Sequence, residues 1–141
     1  MTYNEFVNMI KEVAESVNTN GLFLHGRNFD LTLEFNQVFP QIHLYPFTQT
    51  TPPDNIFIVN TQATIGFWKM DGHEQSLEQR QAIISDMDVL SLAFEDALRA
   101  RRGIQVMAIR REPQYLMYMG VLSGVALNIN INSGRICPTI E

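Results

Sequence analysis

The sequence predicts an α+β fold: a mixed, mostly antiparallel sheet flanked by an N-terminal helix and one long central helix, with an extended β-hairpin arm. Three observations carry that prediction. Two helical patterns open with capping signals, several segments alternate apolar and polar residues with the period of a strand, and a β-rich stretch over residues 55–69 is longer than a core of this size needs. With 141 residues the chain fits one domain, residues 1–141, which can hide roughly 68–70% of the surface its unfolded chain exposes. Within it, residues 132–141 hold turn residues and are expected to form a loose tail.

The first helix is expected from about residue 3. Thr2 and Glu5 have the spacing of a capping box, and Met1 and Phe6 stand where a hydrophobic staple packs. Its apolar stripe is Phe6, Ile10, Val13 and Val17, and Asn18, Asn20 and Gly21 end it. Leu22, Phe23 and Leu24 then read as a short strand, and His25, Gly26, Arg27, Asn28 and Phe29 as a turn. Leu31, Leu33 and Phe35 alternate with Thr32, Glu34 and Asn36, which favours a strand over a helical turn. Residues 39–47 form a strand with Pro40 and Pro46 near its ends. Prolines in sheets are confined largely to edges and strand starts, so this is an edge or near-edge strand. Residues 48–54, with Pro52 and Pro53, follow as a wide hairpin loop.

The stretch 55–69 would extend about 50 Å at roughly 3.3 Å per residue, so it must bend or project. Its second half alternates Ala63, Ile65 and Phe67 against Thr64, Gly66 and Trp68, with the first set facing the core and Gly66 a candidate bulge. After a turn at Asp71 and Gly72, Ser76 and Gln79 repeat the capping-box spacing before the longest helix, residues 77–102. Its apolar positions are Leu77, Ile83, Ile84, Met87, Leu90, Phe94, Ala97 and Leu98, and Gly103 stands where a C′ glycine would. Ile104, Val106 and Ala108 next alternate with Gln105, Met107 and Ile109, and a turn is expected near Arg111, Glu112 and Pro113. The last strand puts Val125, Leu127, Ile129 and Ile131 on one face. Ala126, Asn128 and Asn130 lie on the other, with Asn132 in phase.

Composition narrows the function classes. The formal net charge is −5, from 15 acidic and 10 basic residues, which argues against tight binding to a nucleic-acid backbone, since that affinity comes from clustered Lys and Arg. Arg99, Arg101 and Arg102 read as cations drawn to a helix C-terminus. The charged fraction, 18%, is below the usual value of about 25%, and neutral surface of that kind suits contact with other protein. One cysteine, Cys137, excludes an intramolecular disulfide and agrees with synthesis in a cytoplasm. Asn4, Glu5 and Asn8 stand where a signal peptide would be apolar, and no segment approaches the ~20 apolar residues of a membrane span.

No catalytic, cofactor or metal motif emerges. His73 with Asp71 and Glu74 lacks the spacing of a zinc or iron site. His43 reads as an outward-facing strand residue, and Cys137 has no neighbour in sequence that would lower its pKa. Tyr115 to Met119 read as core or subunit interface ahead of the lining of a small-molecule pocket. Asn is depleted in strands, so its recurrence at Asn128, Asn130 and Asn132 marks either a solvated sheet face or a polar surface turned to a neighbouring subunit or a channel.

Taken in order, these elements resemble the tail-terminator or tail-completion proteins of tailed bacteriophages. The features that carry it are the helix at 3–17, the turn with Gly26 and Arg27, the aromatic-Pro strand, the long strand 55–69, the helix 77–102, and the Arg110, Arg111 segment leading to an alternating last strand. The resemblance covers nearly the whole chain and is one of length, element order and texture. It implies a structural subunit without chemistry or cofactor, a homo-oligomeric ring, hexamer or dodecamer, in the virion neck or tail. Its partners would be other neck, connector and tail proteins, with DNA passing through the lumen without specific binding and no membrane involved. Subunit contacts are then expected at Pro52, Pro53, Asn55, Phe57, Val59, Asn128 and Asn130, the first five because an overlong β segment can add to a neighbour. From another class stands a small α+β enzyme or ligand-binding domain, its pocket between the long helix and the sheet near Trp68, Tyr115 and Tyr118.

Overall fold

A computed structural model describes residues 1–26, 39–71, 75–116 and 122–134. The expected strand around Leu31 to Asn36, and Gly72, His73, Glu74, Met117, Tyr118, Met119 and Cys137, lie outside these residues.

Two helices and six strands form from them, in the order α1 (Tyr3–Val17), β1 (Leu22–His25), β2 (Gln41–Leu44), β3 (Thr48–Thr50), β4 (Ile58–Met70), α2 (Leu77–Arg99), β5 (Ile104–Leu116) and β6 (Leu122–Gly134). The predicted α+β fold is thus present: one mixed sheet in the order β1-β2-β4-β6-β5, with β3 also paired to β4. Only β1 and β2 run parallel; the other neighbours are antiparallel. Because β6 occupies one side of β4, β2 and β3 share the other, β2 beside Ile65 to Trp68 and β3 beside Asn60 to Gln62.

Local chemistry explains both helix starts. Thr2 Oγ1 accepts from the Glu5 N–H, and at Ser76 the full reciprocal box forms, with the Gln79 side chain accepting from the Ser76 N–H at 2.8 Å. α1 buries Phe6, Met9, Ile10, Val13 and Ala14; α2 buries Ile83, Met87, Ser91, Phe94 and Leu98. Both pack on the same face of the sheet, over Ile42, Leu44, Ala63, Ile65, Phe67, Val125, Leu127, Ile129 and Ile131. Those from β4 and β6 are odd-numbered, as the alternation predicted, and Ile42 and Leu44 of β2 pair with Phe67 and Ile65 among them.

Several expectations need correction. Thr48 to Thr50 form β3, so the predicted loop shortens to residues 51–57 and the overlong strand begins at Ile58. Its length is absorbed inside the chain: every residue from Ile58 to Met70 pairs with β6, from Gly134 to Leu122. Gly66 makes no bulge and pairs regularly with His43 and Ala126; its missing Cβ leaves room for the Trp68 indole, whose Nε1 would lie 2.4 Å from that carbon. The bulge sits instead at Met107, between the pairs Val106↔Ile131 and Ala108↔Asn130. It shifts the phase, so that Ile109 joins Ile104 and Val106 on the helix side although it alternates with them in sequence. No turn forms at Arg111 to Pro113, because β5 continues to Leu116 as an edge strand, where a proline costs no ladder bond.

α2 ends at Arg99, three residues early, and Gly103 takes φ +83° in the turn into β5 rather than at C′. Arg99 and Arg101 meet carboxylates rather than helix carbonyls, at 3.1 Å from Glu95 and 2.8 Å from Glu12 of α1. Leu77, placed in the apolar stripe, is the first residue of α2 and is 68% exposed. Of the expected loose tail, Asn132, Ser133 and Gly134 belong to β6, and residues 135–141 lie outside the described residues.

Candidate functional site

The face of the sheet turned away from the helices carries the even-numbered residues of β4 and β6, and along that face its character changes. Toward the C-terminal end of β4, His43, Trp68, Leu122 and Ala126 are buried. Toward the N-terminal end, Asn60, Thr64, Asn128, Asn130 and Asn132 are half-buried and Gln62 is exposed. The side chains there bond one another across the β4–β6 ladder. Asn60 Nδ2 donates to Asn130 Oδ1 at 2.5 Å and to Asn132 Oδ1 at 2.8 Å, and Thr64 Oγ1 donates to Asn128 Oδ1 at 2.8 Å. Each Asn of β6 thereby accepts one side-chain hydrogen bond from β4 through its Oδ1. Thr48, Gln62, Ala108 and Arg110 border a concavity of about 500 Å³ over this amide row. Arg110 is exposed and held by Glu112.

Beyond that end lies the loop of residues 51–57, which joins β3 to β4. Asn55 Oδ1 accepts from the Phe57 N–H at 3.1 Å, and the Asn55 N–H donates to the Pro52 carbonyl at 3.3 Å, so the turn is held locally. At its tip Ile56 is 56% and Phe57 68% exposed. Two adjacent large apolar side chains thus stand in water on a loop that contains Pro52 and Pro53.

The expected contact residues divide over these places. Pro53, Asn55 and Phe57 are exposed in the loop and Pro52 is half-buried there; Asn128 and Asn130 lie in the amide row; Val59 points to the opposite, helix-covered face, in phase with Thr61 and Ala63. Ile56 belongs with Phe57 and was not expected, although its place in the run of Asn55, Ile56 and Phe57 signals it. Asn60 and Thr64 complete the amide row; only the β4–β6 register reveals them.

On the helix side, a groove of about 390 Å³ runs between α2 and β5, lined by Ile84, Pro113, Tyr115 and Val125 with Gln81, Ser85, Asp88 and Arg111. Arg111 crosses it to Glu95 at 2.5 Å and Asp88 at 3.6 Å. Tyr115 is 53% exposed. The pocket expected near Trp68, Tyr115 and Tyr118 is therefore not one site: Trp68 lies on the far face of the sheet, two strands from Tyr115, and Tyr118 is outside the described residues.

His25, His43 and the buried Asp71 hold structure together. His43, expected to face outward, is fully buried; its Nε2 bonds the Gly26 carbonyl at 2.7 Å and its ring rests on Tyr45. His25 Nδ1 bonds the Leu44 carbonyl at 2.8 Å, which leaves Nε2 to accept from the Tyr3 hydroxyl at 2.8 Å. Asp71 accepts from Arg80 Nε at 2.7 Å and from Ser123 Oγ at 2.6 Å, tying the start of α2 to the start of β6. Among the described residues no group of His, Cys, Asp and Glu is placed to hold a metal ion, and no helix is long and apolar enough to cross a membrane.

No protein-family model matches the chain, and no curated protein is significantly similar to it.

Proposed function

We propose that this chain is a virion structural protein, a ring-forming subunit of a phage neck or tail terminus that joins the head connector to the tail. The observation that carries the reading is the tip: β4, β5 and β6, each 13 residues long, form one ladder, and at the end where β4 begins a loop with Pro52 and Pro53 holds Ile56 and Phe57 in water. Exposed apolar side chains at one end of a rigid sheet are a means of joining copies, and a heterologous contact that closes on itself makes a ring. The element order resembles the tail-terminator proteins, and the net charge of −5 with an uncharged amide row suits a lumen through which DNA slides, since fixed cations would retain phosphates.

Light-scattering mass measurement and electron micrographs test this. A ring, hexameric or dodecameric, is the expected result. A strict monomer at roughly tens of micromolar, with no ring alone or with neck proteins, overturns it, since mass action favours assembly as concentration rises.

The groove between α2 and β5 favours a second reading, a ligand-binding domain or enzyme, because its volume falls in the range of about 300–1,000 Å³ of small-molecule sites. A ligand-dependent rise in Tm over a metabolite and metal panel would support it, and replacing Tyr115 should then abolish that rise.

A further inference from the structure

The sheet has two unlike ends. At the first lie the loop of residues 51–57 and the start of β5, since Ile104 pairs with Ser133 and Ser133 with Val59. At the second lie the start of α2 and the end of β5, since Pro113 pairs with Val125 and Val125 with Phe67. α2 runs from the second end to the first, beginning seven residues after β4 and finishing five before β5. The first end offers Ile56 and Phe57 and, two strands across at the turn into β5, exposed Arg102. The second offers the α2/β5 groove and, one turn N-terminal to Gln81 on the same side of α2, exposed Leu77 and Glu78. Among the described residues neither Arg102 nor Glu78 has an ion pair.

We infer that the Ile56–Phe57 tip of one copy seats in the α2/β5 groove of the next copy, with Arg102 of the first facing Glu78 of the second. This rests on the ring reading and names its two surfaces. Val59 and Phe67 are eight residues apart along β4, about 26 Å at the usual rise, so a chain cannot fill its own groove with its own tip. The side chains of the tip are apolar and so are Ile84, Pro113, Tyr115 and Val125 of the groove, while the charges of Arg102 and Glu78 at the two ends are opposite in sign. A second copy supplies both matches at once. The contact is heterologous, tip to groove, and its repetition generates a ring when the rotation closes.

Because Phe57 and Ser85 are exposed, Phe57→Asp and Ser85→Arg leave the fold intact while removing the tip and blocking the groove, respectively. Each alone should raise the concentration needed for assembly by at least about tenfold, as truncation of a central anchor does. Arg102→Glu and Glu78→Arg should each weaken assembly, most at low salt, and their combination in one chain should restore it. The position of the contact is read directly by cross-linking in a Cys137→Ser background: chains with Ile56→Cys mixed with chains with Ser85→Cys should form a disulfide-linked dimer, and neither alone should. Wild-type assembly by all four single variants, with no cross-link in the mixture, overturns the assignment of surfaces while leaving the ring standing. A wild-type chain that never assembles removes both.

Discussion

Trp68 and Asn60 stand on the same strand and the same face of the sheet, yet they are held in different ways. Around Trp68 the face is as dry as the helix side: the indole lies across Gly66, His43 bonds a backbone carbonyl, and Leu122 is fully buried. Around Asn60 it is half wet, and side-chain amides bond one another in a row. Apolar burial stabilises in proportion to area, whereas a hydrogen bond exposed to water exchanges one partner for another and contributes little net. The first half of the face stabilises the fold, and the second fixes register and presents a surface. A shift of β6 by one residue would break every amide pair and put Ile129 and Ile131 into water.

Four substitutions sharpen or break that contrast. Trp68→Ala should cost about 3–5 kcal/mol, read by urea denaturation, the scale of a core aromatic. A loss below about 1 kcal/mol would mean that this half of the face is no more a core than the amide row. Asp71→Ala should cost about 3 kcal/mol, because it removes the buried carboxylate that accepts from Arg80 Nε and Ser123 Oγ; equal stability of the variant would show that this carboxylate does not hold α2 to β6. Gly66→Ala should cost about 2 kcal/mol, since the new methyl must displace the indole, and tryptophan fluorescence should shift with it. Unchanged emission and stability would show that the indole does not rest there. Asn60→Ala, the smallest, should cost about 1 kcal/mol while leaving the melting cooperative; a cost as large as that of Trp68→Ala would erase the distinction between the two halves.

Both helix starts were legible because a cap is a local matter: Thr2 with Glu5, and Ser76 with Gln79, need only the right spacing and the chain's own N–H groups. The core face of β4 and β6 was legible for a similar reason, since alternation over many residues fixes which side is apolar. What escaped depends on neighbours. Nothing around Met107 announces a bulge, and without it the phase of Ile109, Arg111 and Tyr115 cannot be read, which is why Tyr115 was grouped with Trp68. His43 is buried on the sheet face turned away from the helices, against Tyr45 and the Gly26 carbonyl, tertiary contacts that no strand shows by itself. Thr48 to Thr50 read as loop because the prolines beyond them dominated, although Thr suits a strand and Gln49 uses its place to reach Thr61 and the Met1 carbonyl, each at 3.3 Å. Of the candidate site, the exposed tip was half legible, in Phe57 without Ile56; the groove was not, because its two walls come from α2 and a strand that was expected to turn.

The full pairing of β4 with β6, residue for residue over 13 positions, has a mechanical consequence. Interstrand hydrogen bonds lie perpendicular to antiparallel strands, so a pull or a push along the strands loads them in shear, many at once, instead of opening them one at a time from an end as a zipper opens. A load delivered at Phe57 would pass down the ladder to the far end of the sheet with little local give. The same 13 residues arranged as a free loop would bend before they transmitted anything; paired as they are, they form a strut.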